Sequence, residues 1–251
     1  MVKRDLAEWQ TEGLRLTAFV VEPIGPGNLG WWEALLGEAP SVSQTRPRER
    51  VVTEEGPFSG GKLSVVASTR RIDWRFGLDL SEPPPEFPSV GTYEMRHREF
   101  RDLMQRWLEK SPPLNRLAFG AVLLSPVENM PEAYRVLDKL LPSVEIDPDR
   151  TRDLIYRINR RRSSRCGIEG LEVNRLSTWG ALTVSTVEVE MSIEGLEKVH
   201  QSQTSQYACR LEFDINTVPE FRDELDKGKL PALLDELINL GNEIATEGDI
   251  P

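Results

Sequence analysis

The chain has 251 residues, 39% hydrophobic and 29% charged, with six tryptophans and a formal charge of -10. Such a composition supports a buried core rather than disorder, and the negative charge argues against a general nucleic-acid coat protein. No apolar run approaches the roughly 20 residues that span a bilayer, and the opening residues lack the apolar centre of a secretory signal. We therefore expect no membrane contact and a cytoplasmic, prokaryotic protein.

In chain order, Leu14 to Glu22 reads as a strand, and Leu29 to Leu36 as a short helix opened by Asn28 as N-cap. Strands are expected at Arg50 to Glu54, Lys62 to Thr69 and Arg71 to Leu80. The last alternates Ile72, Trp74, Phe76, Leu78 and Leu80 with Asp73, Arg75, Gly77 and Asp79, the pattern of an antiparallel strand with one core face and one wet face. Pro83, Pro84, Pro85 and Pro88 form a stiff connection that cannot belong to an inner strand. A helix then carries Phe100, Leu103, Met104, Trp107 and Leu108 at helical spacing and stops before Pro112 and Pro113.

From Asn115 the chain begins again. Leu14-Arg-Leu-Thr-Ala-Phe-Val-Val-Glu-Pro-Ile is echoed by Asn115-Arg-Leu-Ala-Phe-Gly-Ala-Val-Leu-Leu-Ser-Pro-Val. A helix with Ala133, Val136, Leu137, Leu140 and Leu141 follows. Strands come next at Asp153 to Arg160, Leu171 to Arg175, Leu182 to Glu190 and Gln206 to Asn216, and then a helix with Leu230, Leu233, Leu234, Leu237, Ile238 and Ile244. The expected fold is α+β: antiparallel strands in one or two sheets with helices on one face, built by duplication of a β-α-β-β-β-α unit. Its halves are residues 1–112 and 113–251, packed as one unit, and a ferredoxin-like order also fits the first half.

Motifs that resemble catalytic ones lack the right context. Gly25-Pro-Gly-Asn-Leu-Gly30 has dinucleotide-loop spacing, but Pro26 removes an N–H from the cradle and the helix after it is barely two turns long. Gly56 to Lys62 has phosphate-loop spacing, but Leu63 replaces the required hydroxyl and a strand follows, so a flexible hairpin loop is expected. Cys166 and Cys209 lack zinc spacing and read as core thiols. His97 and His200 belong to no catalytic signature. Neither a cofactor nor a metal is expected.

Arginines outnumber lysines 24 to 7, and seven lie between Arg150 and Arg165 with only Asp153 opposing them. Arg157 is placed on the open face of the sheet, and Arg160, Arg161, Arg162 and Arg165 in a basic loop, where guanidinium forks suit carboxylates and phosphates alike. The C-terminal region is the acidic counterpart, with Asp235, Glu236, Glu243 and Asp249 among its carboxylates, and complements this stretch in a second copy. The leading expectation is a non-enzymatic interaction or scaffold protein, a subunit of a larger assembly that binds its partner through these arginines. Binding of RNA or DNA through the same stretch is the alternative. A metal-dependent hydrolase or nuclease is the third reading, requiring Asp73, Asp79, Glu188, Glu190, Glu212 and Asp214 to converge.

Overall fold

A computed structural model describes residues 3–25, 27, 29–79, 87–190 and 200–250, with the side chains of 186–190 and 200–204 outside that description. The first half runs β1 (Gln10–Val20), α1 (Trp31–Leu36), β2 (Val42–Arg46), β3 (Val51–Phe58), β4 (Gly61–Ser68), β5 (Arg71–Gly77) and α2 (Tyr93–Lys110). The second runs β6 (Leu114–Val127), α3 (Met130–Leu140), β7 (Ile155–Asn159), β8 (Arg162–Ser163), β9 (Glu172–Glu190), β10 (His200–Thr217) and α4 (Leu230–Glu247). Four strands thus separate the two helices of each half, where the sequence led us to expect a three-strand unit, with three strands located in the first half (two in its ferredoxin-like order) and four in the second. All ten strands join one antiparallel sheet in the order β2-β3-β4-β5-β1-β6-β10-β9-β7, with β8 also on β9.

The departures from expectation have local causes. β2 went unseen because all five of its residues are exposed, so it carries no alternation to read. The two strands expected at 171–175 and 182–190 are one, β9, running unbroken through Gly180. Gly180 pairs with Ile155, and a Cβ there would lie 3.1 Å from the Leu154 carbonyl, so this glycine admits β7 rather than ending a strand. The helix expected from Leu29 begins at Trp31 with Gly30 as N-cap, and Asn28 lies outside the described residues. Gly56, Pro57 and Phe58 are paired strand residues rather than a flexible loop. The turn is only Ser59 and Gly60, both at positive φ (47° and 75°), which matches the twist of a tight hairpin.

Period-two alternation divides the sheet into two sets of side chains. Leu14, Leu16, Ala18, Ile72, Trp74, Phe76, Leu117, Phe119, Ala121, Cys209, Leu211, Phe213 and Ile215 are buried. They join the buried residues of α2, α3 and α4 in a single core cluster. In α2 the expected stripe is buried, and Tyr93 and His97 extend it by another turn. Helix α4 comes close to β10 because position 241 is glycine: a Cβ there would lie 2.6 and 2.7 Å from the Phe213 ring.

Two opposed effects decide what a methyl group at position 241 would do. Alanine favours the helix by about 1 kcal/mol, while forcing it against a fully buried ring costs about 1–3 kcal/mol. Gly241→Ala is expected to lower stability by up to about 2 kcal/mol net. A shifted midpoint in chemical denaturation, with unchanged slope, is the measurement that checks this.

Candidate functional site

The arginine stretch is largely occupied by the chain's own carboxylates. Arg160 grips Asp249 with two bonds, Nε to Oδ1 at 2.6 Å and Nη2 to Oδ2 at 2.8 Å, and the Tyr156 hydroxyl donates to Oδ2 at 2.7 Å. Asp249 is only 3% exposed. Arg160 holds its carboxyl below the ordinary value of 3.8, with burial opposing and Tyr156 assisting. The turn that delivers it depends on Gly248, at φ 79° and ψ −151°, a conformation that essentially only glycine adopts. Arg161 meets Glu172 at 3.1 Å and Glu220 at 2.9 Å, and Arg162 meets Glu243 at 3.5 Å. Glu236 accepts from the Ser164 hydroxyl at 2.5 Å and from the N–H groups of Arg165 at 2.7 Å and Cys166 at 3.0 Å.

The complementarity expected between two copies is therefore met within one chain, in which Glu172 of β9, Glu220 after β10, Glu243 of α4 and Asp249 after it supply the counter-charges. Arg157 and Arg165 are the two expected residues that stay exposed with no ion-pair partner among the described residues. Sequence reading missed Arg175, which occupies the buried register between Val173 and Ser177 and lies 3.7 Å from Glu243. Its alternation with Val173, Ser177 and Trp179 was the available signal.

The carboxylates proposed as metal ligands spread across the sheet. Asp73 on β5 and Asp214 on β10 are separated by β1 and β6, a span of about 14 Å at the usual strand spacing. Asp73 is not on a wet surface as expected. It is 5% exposed, accepts from the Thr17 hydroxyl at 2.6 Å and pairs with Arg71 at 2.8 Å. Asp214 pairs with Arg15 at 2.7 Å, and Glu212 with Arg210 at 3.0 Å. Asp79 has an interaction of its own, and the side chains of Glu188, Glu190 and His200 lie outside the described residues. Among the described residues, no group of three or more His, Cys, Asp or Glu side chains gathers as a metal ion requires.

Both cysteines are buried, and burial pushes the Cys209 thiol up to about 12. His97 is buried in α2 with its Nδ1 2.6 Å from the Tyr93 carbonyl, and burial lowers its pKa. Lys62, the lysine of the phosphate-loop spacing, forms a 2.6 Å ion pair with Glu55. The end of the dinucleotide spacing, Gly30, serves instead as the cap of a six-residue helix.

A concavity does exist on the second set of strand side chains. A groove of about 510 Å³ is lined by residues including Arg15, Lys62, Arg75, Gly13, Gly77 and Gly120. Gly13 and Gly77 are direct partners across β1 and β5, and Gly120 faces Arg15 across β1 and β6. A Cβ at Gly120 would lie 3.5 Å from Arg15 Nη2, so the bare backbone leaves room for that guanidinium to cross β6 toward Asp214. Arg15 is also directly opposite Arg75. Like charges in that relation repel, and Arg75 remains more than half exposed, with only a long 3.9 Å approach to Asp73. No protein-family model, curated protein or solved structure matches the chain.

Removing the Asp249 carboxylate should cost about 2–3 kcal/mol, less than the fully buried range because Arg160 keeps some water. The lowered pKa fixes the pH dependence. The stabilisation is present above pH about 4 and fades as pH falls through the folded-state value. Denaturation midpoints against pH should show this acid limb in the wild type and its attenuation in Asp249→Asn.

Proposed function

We propose that this is a non-enzymatic interaction protein, a duplicated α+β scaffold whose helices share one face of the sheet and whose other face holds an acidic segment of a partner protein. The observation that carries this reading is the Arg15–Arg75 pair at the groove. The two positions are directly opposite on adjacent strands, and because Arg15 turns across β6 to Asp214, Arg75 is left more than half exposed with only a 3.9 Å approach to Asp73, a cation open to an acidic group.

The duplication reading draws support from the order of elements, strand, helix, four strands, helix in each half, and from the central antiparallel ladder of β1 with β6. Outward from that ladder the order is β5, β4 on one side and β10, β9 on the other, as a two-fold relation between halves would place them. A binding role for the uncovered face draws support from the number of cations on it: Arg15, Lys62, Arg71, Arg75, Arg116, Arg157 and Arg210 occupy its register positions, in a chain of net charge -10. The binding residues move accordingly from the 160–165 loop to the sheet, with Arg157 common to both.

One contact favours nucleic acid as the second reading. Phe19 lies on the same face between Arg71, 5.8 Å from its ring centroid, and Arg116 at 4.9 Å, a combination of aromatic and guanidinium that suits stacked bases and phosphates.

Arg75→Ala and Arg157→Ala alter exposed side chains and should change stability by less than about 0.5 kcal/mol. Co-expression with neighbouring gene products and affinity capture should yield a stoichiometric protein partner, lost when both arginines are removed. Capture that survives the double substitution, or no partner at all, overturns the reading. Polarisation titration with single-stranded RNA and DNA checks the second, which requires binding that weakens with salt and with Phe19→Ala.

A further inference from the structure

On the buried side of β3, next in the chain to Glu55 of the groove, lies a carboxylate with no visible structural purpose. Glu54 is 4% exposed, and its Oε2 is wholly buried without a hydrogen-bond partner. Its neighbours along the row are Ser43 on β2 and Val65 on β4, neither of which pairs with it. Buried carboxylates are normally bonded or paired, because losing water without replacement is costly.

The surroundings of Glu54 form a pocket. A cavity of about 250 Å³ is lined by Glu54, Trp32, Glu33, Ser43, Gly30, Ala39 and Pro40. Trp32 is fixed on two sides. Its ring comes so close to β3 that a Cβ at Gly56 would lie 2.9 Å from it, and it stacks on Trp74 at 6.5 Å with planes 21° apart. The Trp32 Nε1 is likewise buried without a partner. The pocket is thus lined by a carboxylate, Glu54, that has no hydrogen-bond or ion-pair partner among the described residues, by an indole and by a second carboxylate, Glu33, with no basic side chain in the lining. Burial, and then the charge of Glu33, push the Glu54 carboxyl up, the direction a cation would reverse.

We infer that this pocket is a binding site for a small primary alkylammonium ion, which donates an N–H to the Glu54 carboxylate and rests its charge against the Trp32 ring. Each part of that ligand follows from a feature of the site. The unpaired oxygen requires an N–H donor, which a quaternary ammonium lacks. Two carboxylates and an indole favour positive charge. The volume lies below the roughly 300 Å³ at which drug-sized pockets begin, so the ligand is small. The inference is independent of the groove, since none of the residues lining this cavity lines the other.

Calorimetric titration of the intact protein with ethanolamine, 1,4-diaminobutane and tetramethylammonium tests this. Saturable binding of a primary amine is expected, with tetramethylammonium bound more weakly. Glu54→Gln should weaken the amine by about tenfold or more while raising the thermal midpoint of the free protein, because a buried unpaired charge is removed. Trp32→Phe, which keeps an aromatic wall, should retain weakened binding, and Arg75→Ala should bind as the wild type does. Absence of saturable binding by either primary amine at millimolar concentration overturns the inference, as does equal affinity in wild type and Glu54→Gln. Should Glu54→Gln fail to fold, the preference of the wild type for primary over quaternary ammonium decides the matter.

Discussion

The ladder between β1 and β6 fixes everything else in the molecule. Leu14 lies opposite Ala121, Leu16 opposite Phe119 and Ala18 opposite Leu117, while the intervening pairs are Arg15 with Gly120, Thr17 with Ala118 and Phe19 with Arg116. A slip of one residue in β1 would send its arginine and threonine into the core and its leucines to the other face. The same register that assembles the core therefore also sets which side chains share the opposite face of the sheet. The small side chains of β6 on that face, Ala118 and Gly120, give Arg15 its path to Asp214. The ladder also merges the two halves into one ten-stranded sheet.

Charge in this acidic chain is handled in two different ways. At the C-terminal end it is settled internally: Arg160, Arg161, Arg162 and Arg175 all meet carboxylates, and the best of these pairings is two-pronged and shielded from water at Asp249. Elsewhere it remains unsettled. Arg75 has only a long approach to Asp73, and Glu54 is buried without a cation among the described residues. Buried or crowded groups of like charge raise the free energy of the empty protein, and a ligand of opposite charge lowers it again. The groove and the Glu54 pocket are the two places proposed above for such ligands.

Much of the fold could be read from local pattern. Alternation in Arg71 to Gly77 and Tyr207 to Ile215, and the helical stripe of Phe100 to Leu108, recur as buried sets because a half-buried strand or helix imposes its period on the sequence. β2 was not legible because an exposed edge strand is under no such demand, and the continuity of β9 through residues 176–181 was not read. The arginine stretch was visible, but two of its partners, Glu220 and Asp249, lie 59 and 89 residues away in the chain.

What the sequence determined by itself was the inventory: an antiparallel α+β chain, its buried stripes, its excess of arginine and the unsuitability of its glycine-rich segments for phosphate binding. Those properties reside in neighbouring residues, where backbone sterics and period act. Only the tertiary structure decided which charges cancel. It spent the loop arginines on α4 and the turn after it, withdrew Asp73 from solvent, set Arg15 against Arg75 and left Glu54 alone beside Trp32. Electrostatic interaction depends on separation in space and on access to water, and neither is a property of position along the chain.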